Sequence, residues 1–408
     1  MQKISYPLLA LLLAFLNAIG PFSIDAYLPA FPAMQSALAT DAVAMQQSLT
    51  AYMIPFSIMM LWHGAISDAL GRKRVIVTGL AVYVLASVLC ALAPTVHVLL
   101  LGRILQGLSA GSGVIVGRAV VRDVLEGPAA QRMMSHVAMV FAVAPAVAPI
   151  MGGAMSEWFG WRAIFAFLAL LASAQIFMAW RFLPETLPRE KRQPLRASAM
   201  LAGYLAVLGS GRFVLIALSM SFVFLGFFLY VMSAPVFLMQ HLKLGPTEFG
   251  WLFVPLVCGM ISGSLTAVRL SHHLQPNAII RLAFVISAVA ALWNLAANWF
   301  LPETIATRIP QLALQTFAMN LVFPSLTLMA LDMFPDRRGM AASCQGFIHT
   351  LIMAVVAGVV APLLWDSTRQ MAAGMAIMWA LSVGFFVWSR KLTKPLKGDF
   401  ERTGVRPD

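Results

Sequence analysis

Acidic residues are scarce in this chain, 16 in 408, and charged side chains of both signs make up only 11% of it. So few charges cannot coat a water-exposed surface, and a composition that is 60% hydrophobic excludes a soluble globular domain. Cysteine is rarer still. Cys90, Cys258 and Cys344 lie far apart, with neither metal-like nor redox spacing, so no metal or disulfide framework is expected. A cleavable leader is also missing. Lys3 precedes a leucine-rich run, but no convincing small-residue cleavage site follows and the run continues well past a signal-peptide core, so an uncleaved first helix is expected.

What the chain has in abundance is apolar runs of about 20 residues, the length that crosses a hydrocarbon core of roughly 30 Å. They fall at about 7–31, 44–66, 75–94, 97–117, 133–153, 161–183, 212–238, 249–268, 278–300, 308–331, 341–364 and 370–389. The expected fold is therefore an all-α polytopic membrane protein of twelve transmembrane helices.

The net charge of +12 would suggest a nucleic-acid partner in a soluble protein, yet position decides its meaning here. Lys3, the Arg72–Arg74 run, Arg118, Arg122, Arg132, Arg181, the 189–196 cluster, Arg212, Arg269, Arg281, Arg337, Arg338 and the tail from Arg390 onward fall on one side of the spans. The other side keeps Arg162, Lys243, Arg308 and Arg369. This asymmetry is the positive-inside signature, which puts both termini in the cytoplasm and makes the bilayer, not nucleic acid, the partner.

The longest basic polar stretch, Pro184 to Ser198, follows the sixth run. It divides the chain into six-helix halves at 1–183 and 212–389, a central cytoplasmic loop at 184–211 and a basic tail at 390–408. Paired halves are usual in secondary transporters. The pentapeptide FLPET occurs at Phe182–Thr186 and again at Phe300–Thr304, but on opposite sides of the expected membrane. The two copies are therefore not equivalent repeat positions.

Three motifs carry chemistry. After the second run comes GAISDALGRKR, in which Gly64 permits close helix approach, Asp68 can cap a helix or pair with a cation, and Gly71 allows a tight turn. Arg72, Lys73 and Arg74 hold the loop at the cytoplasmic face. At every fixed position it resembles the loop signature of the major facilitator superfamily, G-x-x-x-D-x-x-G-R-[RK]-[RK]. In the fourth run, LGRILQGLSAGSG places Arg103 inside the membrane, where insertion costs about 3 kcal/mol. It resembles the superfamily's R-x-x-Q-G element, carried here by Arg103, Gln106 and Gly107. That likeness implies an arginine facing the central cavity and tied to proton coupling. In the fifth run, VAPAVAPIMGG sets Pro145 and Pro149 one turn apart before Gly152 and Gly153. It resembles the exporter motif of the superfamily, with Ala144 and Ala148 where glycine is common.

The stretch GPFSIDAYLPAF holds Asp25, which alone among the acids falls well inside a run; Arg103 is its counterpart among the cations. At about 1.5 Å of rise per residue, Asp25, six residues before Phe31, and Arg103, six residues after His97, both lie roughly 9 Å deep. Equal depth makes each the expected counter-ion of the other. Desolvation favours the neutral acid and a guanidinium the carboxylate, so such an acid can switch its proton. A fixed structural ion pair is the alternative.

SIDAYLPA, Ser23 to Ala30, resembles the first-helix signature of the bicyclomycin-resistance (Bcr/CflA) branch of the twelve-span drug:proton antiporters. RAVVRD at Arg118–Asp123, FGWRAIF at Phe159–Phe165, LPETL at Leu183–Leu187 and MSAPVF at Met232–Phe237 support it. Where some members carry a second acid, this chain has Asn17. The resemblance implies a monomer of the bacterial inner membrane that exports small amphipathic compounds in exchange for protons and needs no cofactor beyond the proton gradient. Asp25 and Arg103 are then the coupling residues. Tyr27, Gln106, Phe227, Tyr230, Asn320, Gln345 and His349 are the candidate substrate contacts, being polar or aromatic residues in cavity-lining spans. Two alternatives stand beside this reading: a proton-linked transporter of a metabolite, and an intramembrane hydrolase using Ser109 of the G-x-S-x-G match at Gly107–Gly111.

Overall fold

The computed structural model describes residues 5–195 and 197–392. Lys3, Arg196 and the tail beyond 392, with Lys394, Lys397, Arg402 and Arg406, lie outside them. No strand occurs among the described residues. The long helices are α1 Tyr6–Asp25, α2 Ala42–Leu70, α3 Arg72–Ala91, α4 Val96–Val124, α5 Gly127–Phe159, α6 Arg162–Phe182, α7 Gly211–Met232, α8 Gly250–Ser271, α9 Pro276–Phe300, α10 Pro310–Leu331, α11 Arg338–Val355 and α12 Thr368–Lys391. Eleven segments are long and apolar enough to span a bilayer, and α5, with 33 residues, supplies the twelfth crossing. The all-α, twelve-span architecture is as expected.

Several of the long helices begin at a polar residue whose side chain caps them. Asp41 accepts from the Ala44 amide at 2.7 Å and starts α2, and Ser210 caps α7 in the same way. Three apolar runs are interrupted, the eleventh by a π-helical turn Val356–Val360 between α11 and a short helix Ala361–Leu364. The first leaves the α-helix after Asp25, where Pro29 follows, and continues as a 3₁₀ turn Leu28–Ala30 and a short helix Phe31–Ala37. The seventh ends at Met232 and passes into a π-helical turn, Pro235–His241. The central segment, expected as a loop throughout, contains a helix at Ala197–Leu208, whose sequence is almost wholly apolar. Its Tyr204 hydroxyl donates to the Leu61 carbonyl of α2 at 2.5 Å.

The halves repeat one packing scheme. In the first, α1 packs on α4, α5 and α6, α2 on α4, and α3 on α4 and α6; in the second, α7 packs on α10, α11 and α12, α8 on α10, and α9 on α10 and α12. Adding six to each helix number converts one set into the other. The halves meet through α2 against α11 and α5 against α8, a pair of contacts that the same exchange interconverts.

At the end remote from the arginine-rich loops, here the far end, the halves are sealed. Gln46 donates to the Met232 and Ala357 carbonyls at 3.2 and 2.9 Å, and Gln47 to the Gly358 carbonyl at 2.9 Å. A β-carbon on Gly152 would come within 1.6 Å of the Ala26 carbonyl, and one on Gly153 within 2.1 Å of the Pro246 carbonyl. The paired glycines therefore let α5 lie directly on the backbone of α1 and on that of the second half. At the opposite, basic end, a cavity of about 670 Å³ separates α2 and α4 from α11 and the central helix.

Gly152→Ala must push α5 off Ala26, an overpacking cost of about 1–3 kcal/mol or more. The expected outcome is a lower melting temperature of the purified protein in detergent. Gly20→Ala, where a β-carbon meets nothing within 4 Å, is expected to melt like the wild type.

Candidate functional site

Arg103 is wholly buried on α4. Its guanidinium lies 4.6 Å from the Tyr27 ring centroid and 4.5 Å from that of Tyr52, held by one aromatic face from the turn that follows α1 and one from α2. Nε donates to the Ser48 carbonyl at 3.3 Å and Nη1 to Gln106 Oε1 at 2.7 Å. Gln106 passes the chain on to Ser87 of α3 at 2.8 Å, and the Tyr27 hydroxyl meets Ser48 Oγ at 3.1 Å. Two desolvated cation–π contacts, each worth about 2 kcal/mol, and two charge-assisted hydrogen bonds are enough to offset an insertion cost of about 3 kcal/mol. Arg103 thus ties α1, α2, α3 and α4 together.

Asp25 is not part of that cluster. It is buried, 7% exposed, and has no hydrogen-bond or ion-pair partner among the described residues. The expected Asp25–Arg103 pair is therefore absent, for a reason that depth cannot reveal. Leu16 faces Gly113 of α4, Ser23 meets the Tyr83 hydroxyl of α3 at 2.5 Å, and Tyr27 stacks on Arg103, so these three define the α1 face turned to the rest of its half. At about 100° per residue, Asp25 is turned roughly 160–200° from Ser23 and Tyr27, onto the opposite face. Equal depth on one helix comes with opposite azimuth.

The candidate substrate contacts do not form one site. Tyr27 and Gln106 are fully buried and spent on the Arg103 cluster. In the second half, the Tyr230 hydroxyl accepts from Asn294 Nδ2 at 2.8 Å. Asn320 bonds the Thr316 carbonyl and meets Ser264 across the α8–α10 seam. Gln345 and His349 of α11 do lie together: Gln345 donates to the Met220 sulfur at 3.0 Å, and His349 has Nδ1 3.3 Å from Ser221 Oγ. The His349 imidazole is edge-on to Phe224 at 4.7 Å and Phe323 at 5.9 Å, and Phe224 in turn meets Phe227. This patch on α7, α10 and α11 is aromatic and sulfur-rich, an adaptable surface.

At the basic end, Arg72 is buried and binds Asp68 at 2.5 Å, Asp123 of α4 at 3.0 Å and Ser67 Oγ at 2.6 Å. Its backbone amide donates to Glu185 at 2.8 Å, and Lys73 donates to the Trp180 carbonyl at 2.7 Å. Gly71 has φ 102°, a left-handed conformation, and a β-carbon there would meet Glu185 2.5 Å away. The loop motif thus locks α2, α3, α4 and the end of α6 into one body, all within the first half. Ser109, the hydrolase candidate, donates back to the Leu105 carbonyl of its own helix at 2.8 Å, and no histidine reaches it among the described residues.

Sequence reasoning missed a counterpart of the arginine cluster. RILQ at Arg103–Gln106 recurs as RIPQ at Arg308–Gln311, at the start of the equivalent helix in the second half. Arg308 is also buried and donates to the Ala297 and Leu301 carbonyls, while Gln311 reaches Asn294 of α9 as Gln106 reaches Ser87 of α3. The tetrapeptide echo was the available signal.

The sequence model of the Major Facilitator Superfamily matches residues 11–290 and 216–407. The chain is similar to the uncharacterised MFS-type transporter YdgK of Bacillus subtilis (strain 168), at 31% identity over 86% of this chain and 88% of the relative. It is also similar to a bicyclomycin resistance protein homolog of Haemophilus influenzae, at 26% identity over 96% and 98% of the two chains. Among solved structures, a bacterial homolog of the human lysosomal transporter Spinster, in an inward-facing and occupied conformation, has a TM-score of 0.70 at 15% identity, covering 94% of this chain and 96% of its own.

Asp25→Asn removes a buried charge that has no counter-ion, so the melting temperature is expected to stay level or rise; loss of a buried ion pair would instead cost about 3–5 kcal/mol. Arg103→Leu strands the Ser48 carbonyl and Gln106 and is expected to destabilise by on the order of 3 kcal/mol. Thermal melting of both variants in detergent checks the pair of outcomes.

Proposed function

Because the chain belongs to the Major Facilitator Superfamily, we propose that it exports small amphipathic compounds across a bacterial inner membrane in exchange for protons, by alternating access. It works as a monomer with both termini in the cytoplasm, drawing on the proton gradient and on no bound cofactor. The observation that carries this reading is the Asp25 carboxylate, buried on α1 with no partner among the described residues and turned away from the α1 face that meets α3 and α4. A group so placed is costly when charged and empty, and is relieved by a proton or by a cationic substrate. Competition between those two ligands is the chemistry of an antiporter. The resistance function named for the Haemophilus relative supports the direction of transport and the substrate class.

The geometry suggests how occupancy of Asp25 reaches the gates. Its neighbour Ala26 supplies the backbone on which Gly152 lies, and the next glycine touches Pro246 of the second half. A shift of the α1 end is therefore transmitted directly to the far-end seal. Arg103 acts at one remove, holding the same α1 end through Tyr27, while the Arg72 cluster keeps the first half rigid as it rocks. With the far end closed and the cavity at the basic end, the described state faces the cytoplasm. In the cycle, substrate binds as Asp25 releases its proton inward; the halves rock, and an outside proton displaces the substrate.

The test is substrate-induced proton release by the purified protein across a panel of lipophilic cations and neutral antibiotics. Release is expected from the wild type and not from Asp25→Asn. Binding without release in either protein would sink the antiport reading, whereas release on addition of a metabolite alone would reassign the substrate class.

A further inference from the structure

The far-end contact of α5 with α8 opens into a fork toward the basic end. Gly250 packs against Ile150 and Gly153 against Pro246, but Val143, two turns along α5, instead faces a cavity of about 1330 Å³ bounded by α8 and α10. The walls of its deep part are largely apolar, with Ile261 and Leu265 on α8 and Leu321 and Leu328 on α10, interrupted by Ser264 and Ser325. Leu265 and Leu328 are 57% and 59% exposed, so this part is open to its surroundings, which at these span positions are bilayer.

The charged and amide-bearing lining lies at one end, with Arg212, Gln275, Asn277 and Asp332 beside Ser271. Asp332 is already paired with Arg338 at 2.8 Å. Arg212 is not paired: it has no hydrogen-bond or ion-pair partner among the described residues, and its Nε is buried and unsatisfied. It stands in the first turn of α7, where a cation opposes the helix dipole, so helix stability does not explain it. Asn277, in the first turn of α9, brings a second helix N-terminus to the same end. From Ser271 to Ile261 the slot runs ten residues along α8, about 15 Å, which suits a hydrocarbon chain and not a bare inorganic anion.

We infer that this fork binds an acidic phospholipid of the adjoining leaflet, its phosphate at Arg212 and one acyl chain laid between α8 and α10. Basic pockets between transmembrane helices on the positive side of a membrane protein are suited to such headgroups. A lipid there would fill the lateral opening between the halves while the far end is closed. The site shares no residue with Asp25 or the Arg103 cluster, so the inference stands apart from the exporter reading.

Native mass spectrometry of the full chain in detergent, titrated separately with phosphatidylglycerol, phosphatidylcholine and inorganic phosphate, tests the site. One phosphatidylglycerol is expected to bind roughly five- to ten-fold more tightly than phosphatidylcholine, the scale of one cation near an anionic headgroup, and inorganic phosphate is expected not to displace it. Arg212→Gln should abolish that preference, and Arg189→Gln, a basic-end arginine outside the fork, should retain it. Leu265→Trp, which fills the chain slot and leaves Arg212 intact, should lose the bound lipid, so the test survives even if Arg212→Gln fails to fold. Wild-type preference in Arg212→Gln, undiminished lipid in Leu265→Trp, or displacement by inorganic phosphate would each overturn the inference.

Discussion

Inside a bilayer there is no water to satisfy a polar group, and the structure is organised around how each buried charge meets that constraint. Arg103 meets most of it, with two aromatic faces, a carbonyl and an amide drawn from neighbouring helices, and leaves only Nη2 without a hydrogen bond among the described residues. Asp25, expected at the same depth, has no partner to meet it among the described residues. One charge is structural because its neighbours largely satisfy it; the other is free to bind because they do not.

The same contrast separates the rigid parts of the molecule from the moving ones. Arg72 collects two carboxylates and a serine at the basic end, and its amide a third carboxylate, all within the first half. Between the halves the far-end contacts are of a different kind: glutamine side chains on backbone carbonyls, and bare glycine backbone against backbone. Charged clusters are expensive to break, whereas neutral hydrogen bonds worth about 1 kcal/mol each can be exchanged. Motion is therefore directed to the seam. Ala26, next to Asp25, backs Gly152 of α5, and the adjacent Gly153 lies on that seam, so the binding site and the seal are joined through one short stretch of α5.

Much of this was legible in the chain. Runs of about 20 apolar residues set the number of crossings, charge asymmetry separated their ends, and the loop motif from Gly64 to Arg74 announced a tight, charged junction. The small residues of α4 serve close packing: a β-carbon on Gly107 would collide with the Tyr52 carbonyl. The helix at Ala197–Leu208 was missed because the basic residues just before it masked an apolar segment too short to span. The RIPQ echo at Arg308 was missed because a longer echo, FLPET, drew attention to inequivalent positions.

By itself the sequence determined the long apolar crossings and the order of the charges along them, because those follow from length and hydropathy. It could not determine azimuth. Which way Asp25 faces, what holds Arg103, and which nominated side chains share a surface depend on how each helix is rotated against its neighbours. That rotation is set by close packing across several helices at once, through contacts such as Leu16 on Gly113 and Ala26 on Gly152, which only the tertiary structure brings together.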